Sequence, residues 1–473
     1  MRIRLIVAAL ALGMAVTPAF AADAGKQVRI PDAAVTQAAK LREQALASDL
    51  AYRITESLTT EVGPRMAGSE ADARAVAWAQ AKFRSLGYDR VWTEPVTFPK
   101  WVRRSERGEV LGRHAQPLAL TALGGSPGGT VEGEIVRFTD LASLEAAPAG
   151  SLAGRIAFVD FRMERKRGGD DYAIGSRIRS RGPTTAAAKG AAGFLMQSAG
   201  TDSHRVPHTG ITRFDEGVTP IPAAALSAPD SRQLSRLVAI GPQRVRLALD
   251  CGWDGEATSH NVIGEVRGSS KPDEVVLIGA HLDSWDLGTG AIDDGAGIGI
   301  TMAAGAMIAK MPRRPARTIR VIAFANEEQG LHGGRAYAAK HEKDVARHQI
   351  AAESDFGAGR IYGYASSLPE SAREADAQIL QALAPLGIAR LEGRGGPGPD
   401  IGPFVQRGLA WASLAQDGTD YFDLHHTPDD TFDKIDPAAI QQNAAAYAVF
   451  AYLAASADGS FGSAPVAPAA PAR

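Results

Sequence analysis

V-V-L-I-G-A-H-L-D-S-W-D-L-G-T-G-A-I-D-D-G-A-G, Val275 to Gly297, is the stretch from which the fold can be read. Its first four residues are apolar and rich in β-branching, the pattern of a strand buried on both faces of a parallel sheet. The run then breaks into polar groups: His281, Asp283, Asp286 and the pair Asp293 and Asp294. Open α/β sheets carry their chemistry at the carboxyl ends of such strands. A His two residues ahead of an Asp suits a metal ligand with its orienting carboxylate. A surface loop with solvated acids would read the same way locally, so the rest of the chain has to decide.

Working outward, the α/β texture continues to the C-terminal side. A helix is expected near Gly295 to Lys310, ended by Pro312. Strands are expected at Ile319 to Ala325, Gln349 to Ser354 and Leu409 to Leu414, and helices near Leu331 to Lys343 and Glu370 to Ala384. The last helix starts with Asp436 as its cap and Pro437 at its first position. To the N-terminal side, two amphipathic helices are expected, Ala33 to Leu46 and Ser69 to Leu86. The second has Ser69 facing Asp72 as a capping box and Gly87 at its end. Val62 to Ser69 between them reads as a turn-rich link.

From about Trp101 the texture changes to short β-like pieces: Val131 to Phe138, Arg155 to Phe161, Gly193 to Gln197 and Ile221 to Leu226, with one helical stretch, Thr184 to Ala192. The Arg-rich run from Arg162 to Arg181 reads as a solvated loop. This block reads as a separate β-rich module inserted into a catalytic fold. The fold class is therefore α/β, a mixed central sheet flanked by helices with a β-rich insertion.

The chain has 473 residues, enough for two domains or one large domain with an insertion. Acids and bases nearly balance, and no sustained basic stripe points to nucleic acid or a membrane surface. Residues 1–21 read as a secretory signal: Arg2 and Arg4, an apolar core from Leu5 to Val16, and Ala19-Phe20-Ala21 before the cut. Removing them leaves 49 basic against 53 acidic residues, so the formal charge moves from −2 to −4. A secreted or periplasmic location follows as the expectation. The lone Cys251 excludes an intramolecular disulfide and suits a bacterial periplasm or exterior. The Ala/Pro tail, residues 457–473, is expected to be disordered.

Each strand of the second half ends in ligand-type side chains. His281 is followed by Asp293, V-I-A-F-A-N-E-E-Q-G supplies Glu327 and Glu328, and I-A-A-E-S-D-F-G supplies Asp355. D-L-H-H-T-P-D-D-T adds His425 and His426. Two imidazoles and three carboxylates could hold two divalent cations about 3.5–4 Å apart, and mixed His/carboxylate sets suit zinc. In an adjacent Glu pair the side chains point apart, so one can bind metal while the other acts as general base.

These motifs, H-L-D-S, G-A-I-D-D-G-A-G, N-E-E-Q-G-L-H-G-G, E-S-D-F-G and H-H-T-P-D-D-T, resemble those of the M28 family of co-catalytic zinc peptidases, in the family's order. R-M-A-G-S, G-P-G-P-D-I-G-P and W-A-S-L-A-Q-D-G extend the likeness to the family's secreted carboxypeptidase branch. The resemblance implies a zinc-dependent exopeptidase fold of the phosphorylase/hydrolase-like type. Residues 22–115 and 256–456 would form the peptidase domain, and the inserted residues 116–255 resemble a protease-associated (PA) domain. It further implies two zinc ions per chain. His281 and Asp355 would hold one, Glu328 and His426 the other, with Asp293 bridging. Glu327 would be the general base, and Asp283 would orient His281. The family register selects Asp293 over Asp294 and His426 over His425. Short peptides are the implied substrates, cut as by an aminopeptidase or dipeptidase, with neither nucleic acid nor membrane as a partner; a homodimer is the assembly common among relatives, and the residues leave the oligomeric state open. Two other readings are a non-catalytic binding protein on the same scaffold and a single-zinc transferase of the glutaminyl-cyclase type. The full ligand set argues against the first, and His281 with Asp355 against the second.

Overall fold

The computed structural model describes residues 27–391 and 395–462. The expected signal segment and the tail beyond Gly462 lie outside them. The catalytic half is a mixed sheet with the order Ala389–Arg390, Ile361–Ser366, Trp411–Gln416, His348–Glu353, Lys271–His281, Arg317–Phe324, Arg244–Val266. The Lys271–His281 strand lies parallel to both neighbours, Ile361–Ser366 runs antiparallel to Trp411–Gln416 but parallel to Ala389–Arg390, and Arg244–Val266 runs antiparallel to Arg317–Phe324.

The two-residue period of the central strand explains its apolar run. Val276, Ile278 and Ala280 join the larger core, and Leu277 joins a second one with Ile322, Phe324 and Tyr337 on the opposite face. Helices cover both faces. Ala296–Ala309 has almost no polar side chain because it is buried all round. It packs against Pro437–Ser456 and against Leu50–Glu61, a helix the sequence reading did not assign. Asp436 caps Pro437–Ser456 as expected, accepting from the Ala439 N–H at 2.6 Å.

The inserted region is joined to this sheet more intimately than the change of texture at Trp101 suggested. Strands Arg90–Leu111 and Arg244–Val266 pair antiparallel along almost their whole lengths, so one ribbon runs from the catalytic sheet into the insertion. There Gly129–Phe138, Ile156–Val159, Gly193–Gln197, Ala223–Leu226 and Leu120–Ala122 extend the sheet. Two helices flank them, Tyr172–Ala188 and Ala228–Ile240. The first corrects the reading of Arg162 to Arg181 as a solvated loop. Arg165 and Arg167 instead form ion pairs with Asp420, Asp423 and Asp417 across the two halves, and Arg179 is buried. A Gly/Ser-rich helix with Pro183 inside it carries too weak an apolar stripe to be seen from periodicity.

The ordered chain also extends further than expected at its end. Residues 457–462, read as disordered tail, are tied down: Arg317 donates to the carbonyls of Ala457 and Gly459, and Phe461 is fully buried with its N–H 3.0 Å from Gln349 Oε1.

The Ser69-capped helix Glu70–Ser85 carries a buried acid, Asp72, which accepts from the Gly68 N–H at 2.9 Å and Ser259 Oγ at 2.8 Å. Burial pushes this carboxyl up to about 6. The folded chain therefore holds the proton more tightly than the unfolded chain, and the stability this contributes is full below the ordinary value of 3.8 and lost as pH rises through 6. The Asp72→Asn variant is expected to remove a slope of at most about 1.4 kcal/mol per pH unit across that window, checked by denaturant unfolding at pH 4, 5 and 6.

Candidate active site

The sheet delivers its polar strand ends to one place. In the pairing of the two central strands His281 stands opposite Phe324, which places the Glu327-Glu328 turn beside it. Glu353, two residues before Asp355, lies next to Gly279 on the other side. Asp293 occupies the turn that enters helix Ala296–Ala309, and the His425-His426 turn follows the short helix Tyr421–Leu424.

Asp293 is at the centre. Its Oδ1 lies 3.0 Å from His281 Nε2 and its Oδ2 3.2 Å from His426 Nε2. His281 Nε2 also reaches Asp355 Oδ1 at 3.5 Å, and His426 Nε2 reaches Glu328 Oε2 at 2.9 Å. Two groups, each an imidazole and an acid, thus flank one shared carboxylate. His425 also faces Asp293 Oδ2, at 3.5 Å, stacked on His426 with ring centroids 3.5 Å apart. It forms no ion pair with Glu328, although Asp293, His425 and His426 lie close enough to share an ion, and burial beside His426 holds it well below the ordinary histidine range. Against the opposing pull of burial, Glu328 and Asp293 lift His426 to about 9.

The tautomers follow from the opposite ring nitrogens. His281 Nδ1 is 3.0 Å from the Asp283 carbonyl and His426 Nδ1 3.1 Å from the Thr209 carbonyl. A carbonyl only accepts, so both Nδ1 atoms carry hydrogen, and the Nε2 atoms that face the acids are the positions left for a metal to take. Asp283 was expected to orient His281 through its carboxylate, yet the nearer oxygen is its main-chain carbonyl, with Oδ1 at 3.7 Å. The carboxylate instead accepts from the N–H groups of Glu327, at 3.0 Å, and Glu328, at 3.4 Å. One residue therefore braces both the histidine and the Glu pair.

Several supports gave no sign in the local sequence. Asp430 accepts from the N–H groups of Ala291, Ile292 and Asp293 at 2.8, 2.6 and 3.2 Å, and burial raises its carboxyl to about 7. Arg65, of R-M-A-G-S, is fully buried and donates to the carbonyls of Leu282, Thr289 and Gly290. Asp294 is spent on the N–H groups of His281 and Gly297, at 3.1 and 3.0 Å, leaving Asp293 to face the histidines. The peptide between the two aspartates is cis.

The donor set fits a cation. Glu328 Oε1 is buried with no hydrogen-bond partner. Glu327 is raised well above the usual carboxylate range by burial, with Asp355 and Glu328 pushing the same way. Acids that crowd one another beside imidazole nitrogens are what a divalent ion offsets.

A cavity of about 450 Å³ opens over Asp293, Glu327, Glu328, Asp355, His425 and His426. Part of its wall comes from the chain between the two ribbon strands Arg90–Leu111 and Arg244–Val266: Tyr172, Arg179, Ile211 and Arg213. Tyr172 stacks on Phe422 with centroids 4.5 Å apart. Arg213 and Arg335 both open to this cavity, and among the described residues neither forms an ion pair with a carboxylate. Arg213 is shifted below the ordinary guanidinium range by burial and by Arg335.

Such a convergence of acids and imidazoles at the carboxyl edge of a mixed sheet, beneath a cleft, defines a metallohydrolase. Comparison with known proteins narrows the class: the chain belongs to peptidase family M28. The family model described as peptidase family M28 matches residues 261–451. Carboxypeptidase Q of Bos taurus is 32% identical over 414 residues, covering 86% of each chain. A solved peptidase M28 precursor from Shewanella amazonensis SB2B is 49% identical, with a TM-score of 0.88 over 92% of this chain and 99% of that one. BSAP, a zinc aminopeptidase from Bacillus subtilis, shares the fold at 20% identity and a TM-score of 0.61, over 85% of this chain and 94% of that one.

Proposed function

We propose that this peptidase is a dinuclear zinc exopeptidase acting on short peptides outside the cytoplasm, with Glu327 as its general base. The observation that carries the reading is Asp293, whose two oxygens face two separate imidazole–acid sets. His281 and Asp355 would hold one zinc, Glu328 and His426 the other, and Asp293 would bridge them. Bound there, zinc would supply Lewis acidity toward the scissile carbonyl and lower the pKa of water. Glu327, on the cavity wall with its backbone held by Asp283, takes the proton of the attacking water and returns it to the leaving amine. Among the described residues that line the cavity there is no serine, threonine or cysteine, which favours direct addition of water over an acyl-enzyme.

The two unpaired guanidinium groups favour substrates with a free carboxylate, in keeping with the name of the carboxypeptidase Q relatives. A charge-assisted hydrogen bond of this kind contributes about 1.5–3 kcal/mol. Arg213→Ala is therefore expected to raise KM for a free dipeptide ~10- to 100-fold and to leave the dipeptide amide unchanged. The test of the function is a panel of free dipeptides, dipeptide amides and N-blocked dipeptides. Zinc-dependent turnover of the free dipeptides supports it, and no turnover of any member overturns it. Export rests on the pattern from Arg2 to Ala21, and the exported protein is expected to begin at Ala22 on N-terminal sequencing.

A further inference from the structure

The last histidine pair is held from outside the catalytic sheet. Thr209 of the insertion meets His426 twice: its N–H donates to the His426 carbonyl at 3.0 Å, and its carbonyl accepts from His426 Nδ1 at 3.1 Å. The neighbouring His208 is buried and donates from Nδ1 to the His425 carbonyl at 2.7 Å. Its Nε2 faces Asp202 Oδ1 at 3.0 Å, and its own N–H is fixed by Ser198 Oγ at 2.9 Å. Gly200 packs against the ring, leaving no room for a Cβ. The dipeptide His208-Thr209 is thus docked on the dipeptide His425-His426.

The docking has a reason in backbone energetics. His426 has φ of 64°, a left-handed conformation that costs a non-glycine residue of order 1–3 kcal/mol and persists only where its surroundings hold it. Three of the hydrogen bonds that hold this turn come from the insertion. The equivalent bond on His281, from Nδ1 to the Asp283 carbonyl, comes from the catalytic sheet itself.

The geometry points to the inserted module as a structural part of the second metal site, with His208, braced by Asp202, as a positioning residue for His426. It rests on the dinuclear reading above. Loss of the His208 donor frees the His425-His426 turn to relax, so that His426 Nε2 leaves Glu328 and Asp293. The metal at that site is weakened, and the one held by His281 and Asp355 is not.

The test is a zinc titration against a chelator on the full-length protein, for wild type, His208→Leu and His208→Asn. Asparagine places an N–H donor where Nδ1 stands and leucine does not. A partner behind a ligand is worth ~10- to 100-fold in metal affinity. His208 acts one residue behind the ligand, so His208→Leu is expected to lose about tenfold, the lower end of that range, at one of two sites and to keep the other within about threefold, with His208→Asn restoring most of it. Cobalt substitution gives a second readout, the absorption of one site changing and that of the other persisting. Equal loss at both sites, no loss at either, or failure of asparagine to restore binding would overturn the inference. A wild type that binds fewer than two zinc ions would instead count against the dinuclear reading, so the two failures are distinguishable.

Discussion

Glu327→Gln is expected to lower kcat on a free dipeptide ~100- to 10,000-fold while KM and metal content stay near wild type. Glutamine has the shape of glutamate and keeps the backbone N–H that Asp283 holds at 3.0 Å, so the turn survives. What is lost is a group able to take the proton of water and hand it to the leaving amine. Glu328 does not substitute in this reading, because it is spent as a zinc ligand beside His426, whose Nε2 lies 2.9 Å from its Oε2. Steady-state kinetics with zinc analysis on the same sample checks this. A loss of less than about tenfold would remove Glu327 from the role of base.

Asp293→Ala is expected to have the larger effect on metal. Its two oxygens face His281 and His426 separately, so one substitution strips a ligand from both sites. Affinity should fall at both by more than the ~10- to 100-fold that an outer partner costs, and hydrolysis should fall below detection. His281→Ala removes a ligand from one site alone, so one zinc should remain. If Asp293→Ala retained one tight zinc, the carboxylate would not be shared.

The contrast between these residues and the ones that hold them shows what the sequence exposes. His281, Glu327, Glu328 and Asp355 each follow an apolar run, and the end of a buried strand is visible locally because the β-branched residues stop there. Asp293 and Asp294 look alike in local pattern; the family register favours Asp293, and the hydrogen bonds of Asp294 to the His281 and Gly297 N–H groups supply the physical reason. Asp430, Arg65 and His208 act on backbone groups far along the chain, and no periodicity encodes such partners.

The role of the insertion was hidden for a related reason. The ribbon of Arg90–Leu111 and Arg244–Val266 is interrupted by register shifts at Pro99/Trp101 and Arg103/Ser105, which break the alternation that would mark one long strand. Read as two changes of texture, it suggested a detached module. As one ribbon, it brings Tyr172, Arg179 and Arg213 over the acids.

The most direct test of the central claim is the zinc content of the purified wild-type chain, measured by elemental analysis after dialysis and set beside its rate on a free dipeptide. The account predicts two zinc ions per chain, with hydrolysis lost on chelation and regained as both are returned. One zinc per chain with full activity would contradict it.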